Sequence, residues 1–433
     1  MPPFPFGAYY GGAQMSDPKP RGLARWRDIT AWLGRHFSST ADDIARAASS
    51  EKAAEAARHA AADAAPVIWL LGKVQSGKSS IVQRLTGASE VEVGEGFRPI
   101  TRSAAIFDFP VEAPVLRFLD TRGLGEKDYA PAEDLAACEA RANLIIAVMR
   151  AGDHGQLAVL DPLREIRARH PDWPILVAQS WLHSFYPFPP THPIPYPFTG
   201  TPADAELPGV APDLGRVLLH QRRLFDAMPG TAPIVFVPID FTRATDGLAP
   251  ADFGLDALLS AIESVAPSVV SARLAAARAG EGQDIGSKAQ ALITGYAFTA
   301  AAIDVAPVAG MIGVPILQGA MLHALAGRFD VEFGRDAIIA FLGSLGTATV
   351  LRYALGFGLR QLVKMIPVYG QTAGAVAAGA ASFAFTYALG QAACVYLAAR
   401  RRGITPRDGE IVDRYARALK EAFEIFRRQK EKA

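Results

Sequence analysis

The sequence predicts an α/β fold with a doubly wound, mostly parallel sheet, followed by an all-α domain rich in Ala and Gly. Three observations predict it. Between residues 66 and 275, short apolar runs alternate with helical stretches, the texture of strands covered by helices on both faces. One of those runs ends in a glycine-bounded turn that leads straight into a helical stretch. Beyond Ala289 the texture changes to long stretches without charge.

The chain has 433 residues, with 44 Lys+Arg against 43 Asp+Glu. Its length suits two or three domains. A net charge of +1 lacks the basic excess of a nonspecific nucleic-acid binder, so no nucleic-acid partner is expected. An apolar fraction of 50% excludes a chain disordered throughout. Cys138 and Cys394 alone make neither a disulfide framework nor a cysteine-based zinc site, which fits a reducing compartment.

Residues 1–22, rich in Pro and Gly, read as a flexible arm and not as a secretory signal, since no basic segment precedes an apolar one. Residues 23–65 read as a helical arm. Ser39 and Thr40 resemble caps there, and the run Ala53–Ala65 has high helix propensity but few large apolar groups, so it should pack on something else. Residues 66–275 supply strand-like runs: VIWLLG, SAAIFDF, VLRFLD, NLIIAVM, PILVAQ and PIVFVPI. Ala132–Arg141 and Asp161–Arg169 look helical. Residues 187–212 carry nine prolines in 26 positions, which suits a surface insertion or linker, or else a docking segment for an aromatic-lined partner.

Gly72-Lys73-Val74-Gln75-Ser76-Gly77-Lys78-Ser79 matches G-x-x-x-x-G-K-[ST], between a strand-like run and the helical run that opens at Ser80. Glycines let successive N–H groups face phosphate oxygens, Lys78 supplies a point charge to the outer phosphates, and the Ser79 hydroxyl is small enough to bind Mg²⁺ beside them. Thr101, just before SAAIFDF, is a candidate second metal ligand that senses the last phosphate. Asp120-Thr121-Arg122-Gly123 ends VLRFLD, placing Asp120 to hold the metal through water and the Gly123 N–H to meet the γ-phosphate.

With these three elements in order, residues 66–275 resemble a P-loop G domain of the Era-like, dynamin-related GTPases. The resemblance implies GTP and Mg²⁺ as ligands. It implies a nucleotide site of Gly72 to Ser79, Ser80, Asp120, Gly123, Gln179 and Ser180, with Ser79, Thr101 and Asp120 on the metal and Lys78, Thr101 and Gly123 as catalytic groups. Leu124 stands where related proteins place a water-orienting Gln, which implies slow hydrolysis helped by a partner, a monovalent ion or a homodimer through the G domain. Gln75 stands where potassium-dependent relatives have Asn. The guanine-reading motif Asn/Thr-Lys-x-Asp is incomplete. Gln179 takes its first place, but Leu182 stands where the carboxylate belongs, so guanine specificity rests on the resemblance. His183 offers a neutral nitrogen, although a lone His at a strand end is more often structural, and Asp240 is a candidate compensating acceptor.

Residues 289–402 form the apolar helical region. Positions 305–327 and 365–399 carry no Asp, Glu, Lys or Arg, and each is long enough to cross a bilayer. The motifs Pro307…Pro315-Ile316-Leu317-Gln318-Gly319-Ala320-Met321, Lys364…Pro367…Gly370 and Thr386…Gly390 resemble the C-terminal domain of the bacterial YcjF-like group (the DUF697 region). That resemblance implies association with the cytoplasmic face of the inner membrane, with a lipid or membrane protein as partner. Either the helices enter the bilayer as hairpins, which the chargeless 35-residue run favours, or they form a compact bundle that docks. Residues 407–433 read as an amphipathic helix with a basic end. The function expected is a membrane-associated, slow GTPase switch. A non-hydrolysing nucleotide-binding scaffold and an ATP-using P-loop protein remain the alternatives.

Overall fold

In the computed structural model, residues 44–48, 50–89, 93, 97–99, 104–121, 136–198, 209–266, 270, 273–275, 278, 285–304, 307–345, 371–407 and 409–431 are described. The flexible arm, Ser39, Thr40, Thr101, Gly123, Leu124 and the Lys364–Gly370 motif lie outside them.

After a short helical stretch at 44–48 comes helix α1 (Glu51–Ala64), capped by Ser50, whose Oγ accepts the Ala53 N–H at 3.3 Å. Strand β1 (Val67–Gly72) follows, then α2 (Lys78–Thr86), β2 (Phe97–Pro99), β3 (Ala104–Phe109), β4 (Leu116–Thr121), β5 (Leu144–Arg150), α3 (Leu157–Arg169) and β6 (Ile175–Ser180). Next come α4 (Pro212–Arg223), β7 (Ile234–Pro238), the short pair β8 (Asp240–Phe241) and β9 (Asp252–Phe253), and α5 (Leu255–Val265). The helical region contributes α6 (Ile285–Ile303), α7 (Pro307–Phe329), α8 (Arg335–Leu345), α9 (Gln371–Arg401) and α10 (Glu410–Glu431).

The seven-stranded sheet runs β2-β3-β4-β1-β5-β6-β7. From β4 to β7 its neighbours are parallel, and β2–β3–β4 are antiparallel. The fold is therefore the mostly parallel α/β sheet with a helical C-terminal region that the sequence predicts. Each of the six apolar runs becomes a strand shifted by no more than about one residue, within the usual scatter of element ends.

β1 is buried along its whole length because both faces are covered. Strand periodicity sends Val67, Trp69 and Leu71 into one core with Ile145, Ile175 and α3's Leu163. Ile68 and Leu70 enter the other, with Ile81, Phe118, Ile146 and Ile262. That second core does not stop at the sheet. It continues through Ala57 and Ala61 of α1 into Leu292, Tyr296, Met321, Phe383 and Leu419 of the helical region. Helix α1 thus packs against α6 and α7, the support its alanine-rich composition requires.

Sheet and helices also touch directly. The β3–β4 turn meets α6 so closely that a Cβ on Gly295 would lie 2.0 Å from the Ala113 carbonyl oxygen. Arg328 pairs with Glu112 of the same turn at 3.0 Å. Helix α9 is long and apolar enough to cross a bilayer over Gly379–Arg401, but 72% of that window is buried against the protein.

Candidate functional site

The site forms at the C-terminal edge of the sheet, where β1 ends and α2 begins. This edge is where parallel α/β sheets bind ligands, because the loops diverge there. The loop Gly72–Gly77 needs its glycines for two separate reasons. At Gly72 a Cβ would lie 2.6 Å from the Val148 carbonyl oxygen and 2.8 Å from Ser76 Oγ. At Gly77 φ is +101°, a left-handed conformation that lets the backbone turn into the first turn of α2. Gln75 is also left-handed, at φ 59°. Alternation of this kind aims successive N–H groups into one concavity.

Lys78 sits at the first position of α2, 8% exposed. Its Nζ donates to the carbonyls of Gly72 at 2.6 Å and Lys73 at 2.8 Å. It also lies 3.4 Å from Asp120 Oδ1. The parallel pairing of β1 with β4, in which Leu70 faces Asp120, brings that carboxylate to the loop. Ser79 is exposed on the same first turn, and Ser80 half-buried beside it. Two of the three expected stations, Gly72–Ser79 and Asp120, therefore adjoin. The third, Thr101, and the Gly123 amide lie outside the described residues. Strand β2 stops at Pro99, two positions before Thr101, and Arg98 on it is ion-paired with the buried Asp108.

Lys73, by contrast, is held sideways. Its Nζ meets Asp153 Oδ2 at 2.8 Å, across the loop after β5. Burial opposes ionisation of Asp153, but Lys73 and the Gly155 N–H outweigh it and hold the carboxyl below its ordinary range. This pair, with Gln75, Ser76, Arg150 and Phe185, lines a cavity of about 450 Å³ flanking the loop. Val74 is 62% exposed at its tip.

The far end of the site is built by β6. Ser180 Oγ donates to the Ser76 carbonyl at 2.7 Å and ties β6 to the phosphate loop. Gln179 is fully buried. Its Nε2 donates to Leu218 O at 3.1 Å and to Gln221 Oε1 at 2.9 Å, so its amide is directed at α4. Trp181 follows at φ 63°, with the Arg150 guanidinium 4.1 Å from its ring centroid. Leu182 is buried in a small core with Phe198, Leu214, Leu218 and Phe253. His183 pairs with Asp240: its backbone N–H meets Oδ2 at 2.8 Å and its Nδ1 meets Oδ1 at 2.7 Å. That hydrogen bond lifts the His183 imidazole above its ordinary value, against the effect of burial.

The proline-rich stretch is part of this end as far as Phe198. His192 stacks on Phe253 at 4.4 Å, and Tyr196 donates to the Pro238 carbonyl at 2.8 Å. Sequence reasoning passed over Arg150, Asp153 and Trp181. Asp153 carries no local signal, since its partner lies 80 positions away. Trp181 had one: a bulky aromatic immediately after the end of a strand, at Ser180.

Residues 67–179 match the family model described as a 50S ribosome-binding GTPase. The match runs from the first residue of β1 to the end of β6 and spans the phosphate loop and Asp120. These residues form a P-loop GTPase domain. No curated protein matches the chain. A GTPase domain supports a GTP-binding protein, with Mg²⁺ the metal such domains typically carry. The left-handed Gln75 and Gly77, the exposed Ser79 on the first turn of α2, and Lys78 beside Asp120 fit a triphosphate with its cation.

Proposed function

We propose that the protein is a slow GTPase switch acting at the cytoplasmic face of the inner membrane. One observation carries the switch reading: Lys78 Nζ lies between the loop carbonyls of Gly72 and Lys73 and the carboxylate of Asp120. A triphosphate in the cradle draws Lys78 to its outer phosphates. Ser79, Asp120 and Thr101 would hold Mg²⁺, which supplies charge neutralisation at the phosphates. Thr101 and Gly123, which would sense the last phosphate, lie in sequence just before β3 and just after β4, and the turn joining these strands is wedged against α6 and α7. A change at residues 101 and 123 therefore has a mechanical route to the helices. Leu124 after Gly123 offers no side chain to orient water, which supports slow turnover.

The membrane reading is supported by the apolar composition of α6, α7 and α9. The burial of α9 favours a packed bundle that docks over hairpins that insert. Two measurements test the whole proposal. The full chain, titrated with fluorescent GTP and ATP analogues, is expected to bind GTP tightly and turn it over slowly, and fast turnover by the monomer would refute the switch. Carbonate washing of membranes is expected to release the protein, and retention would return the inserted hairpins.

A further inference from the structure

We infer that His183, oriented by Asp240 through its Nδ1, reads the 6-oxo group of a purine base. This rests on the GTP-binding reading and deepens it to the group that selects the base. The phosphate loop fixes one end of the nucleotide. Ser180, hydrogen-bonded to the loop at Ser76, sets the end of β6 directly beside the phosphate loop. Of the next three side chains, Leu182 is sealed in an apolar core and cannot meet a ligand. Trp181 presents an indole, with Arg150 against its ring and the His183 ring 5.1 Å away. His183 is 28% exposed at its side chain. Its Nδ1 is taken by Asp240, so Nε2 is the one polar atom of its ring left for a base. Asp240 is 1% exposed and receives two hydrogen bonds from His183, which leaves it an orienting group and no direct reader.

The polarity of the reading follows from the charge. With Asp240 holding Nδ1–H, a protonated ring offers Nε2–H as a donor. Guanine presents acceptors at O6 and N7, whereas adenine places an amino donor at position 6. A donor at this point favours 6-oxopurines and opposes adenine. A carboxylate at the same point would accept from the imino and amino groups of guanine and would reject a base lacking the 2-amino group. The imidazolium has no such requirement. Inosine triphosphate should bind like GTP.

The charge state depends on the neighbours. Asp240 from β8 and Asp246 from the turn after it favour protonation, Arg150 from β5 opposes it, and Tyr186, which also hydrogen-bonds Asp240, stays a neutral phenol because burial raises its pKa. His192, from the proline-rich stretch, lies 3.8 Å from Asp240, and burial keeps its own pKa low, so it does not compete for the carboxylate's charge. The His183 pKa is raised above 6.5, so the donor form is present at low pH and disappears as pH rises through the raised value. Base selectivity should disappear with it.

Binding of GTP, ITP and ATP to the full chain at pH 6.5 and pH 9 tests this. The expected result is GTP and ITP within about threefold of each other and both about tenfold or more tighter than ATP at pH 6.5, with the gap closing at pH 9. His183→Ala should bring ATP level with GTP, and Asp240→Asn should move the loss of selectivity to lower pH. His183→Gln keeps a neutral donor and should keep the preference without its pH dependence, which a merely structural histidine would not produce. Circular dichroism confirms that each variant folds. ITP at least about tenfold weaker than GTP, or unchanged selectivity in a folded His183→Ala, overturns this inference alone. Failure of all three triphosphates to bind overturns it together with the GTP-binding reading.

Discussion

Lys73 in the loop and Lys78 at the start of α2 stand five positions apart, and their surroundings assign them different work. Lys78 is nearly buried and donates to two loop carbonyls beside Asp120, so its ammonium is available to a phosphate that replaces those carbonyls. Charge-assisted hydrogen bonds contribute about 1.5–3 kcal/mol, so Lys78→Ala should weaken GTP about 10- to 100-fold, read by fluorescence titration. Lys73 is locked to Asp153 at 2.8 Å, and Lys73→Ala should leave GTP affinity within about threefold. Lys78, Gly72 and Gly77 were legible in the sequence because their chemistry is local and ordered along the chain. The base end was not. Gln179 has the right residue type for a ligand contact, yet its buried amide is taken by Leu218 and Gln221 across the fold, partners that no local spacing reveals. Leu182, at the place of the base-reading carboxylate, is buried in a small apolar core with Phe198 and Leu214.

At the scale of elements, apolar runs made the parallel strands legible, since burial on both faces leaves a continuous signal. The edge strand β2 left no such signal: its three residues are half-buried or exposed. Its place is fixed by Arg98 and Arg117 converging on the buried Asp108. Helix α3 shows how one side chain binds separate elements. Arg167 is 1% exposed, and its guanidinium donates to Pro229 O at 2.8 Å and Ala232 O at 2.9 Å, and also to Trp173 O. It ties α3 to the loops that enter β6 and β7. Arg167→Leu keeps much of the apolar stem but strands three carbonyls, and should destabilise the fold by about 3 kcal/mol or more. Urea unfolding of the two proteins checks this. The affinity of the folded variant for GTP should be unchanged, since Arg167 lies at the opposite end of the strands from the phosphate loop.

For the whole molecule, the decisive fact is that the core crosses from sheet to helices without a break. The texture change near Ala289 marks a change in composition, and composition alone reads as a boundary. The packing joins the two parts through α1, through Gly295 against Ala113, and through the Arg328–Glu112 pair. Arg273 strengthens the same seam: it is 5% exposed, with its guanidinium 3.8 Å from the Phe298 ring centroid, and burial lowers its pKa to about 9. Cutting the chain after residue 275 would uncover Ala57, Ala61 and Ala113 and remove every apolar partner contributed by α6 to α10. Large exposed apolar patches drive association. The isolated GTPase domain should therefore aggregate or bind a hydrophobic dye strongly, while the full chain does neither. A milder perturbation separates packing from signalling. Gly295→Ala forces a methyl group into the Ala113 carbonyl, and overpacking of this kind costs about 1–3 kcal/mol. If the seam carries the nucleotide signal, hydrogen exchange in α6 should differ between GTP- and GDP-loaded wild type, and that difference should shrink in Gly295→Ala while GTP affinity stays within about threefold. A nucleotide-dependent difference that survives the substitution would route the signal elsewhere than the β3–β4 turn.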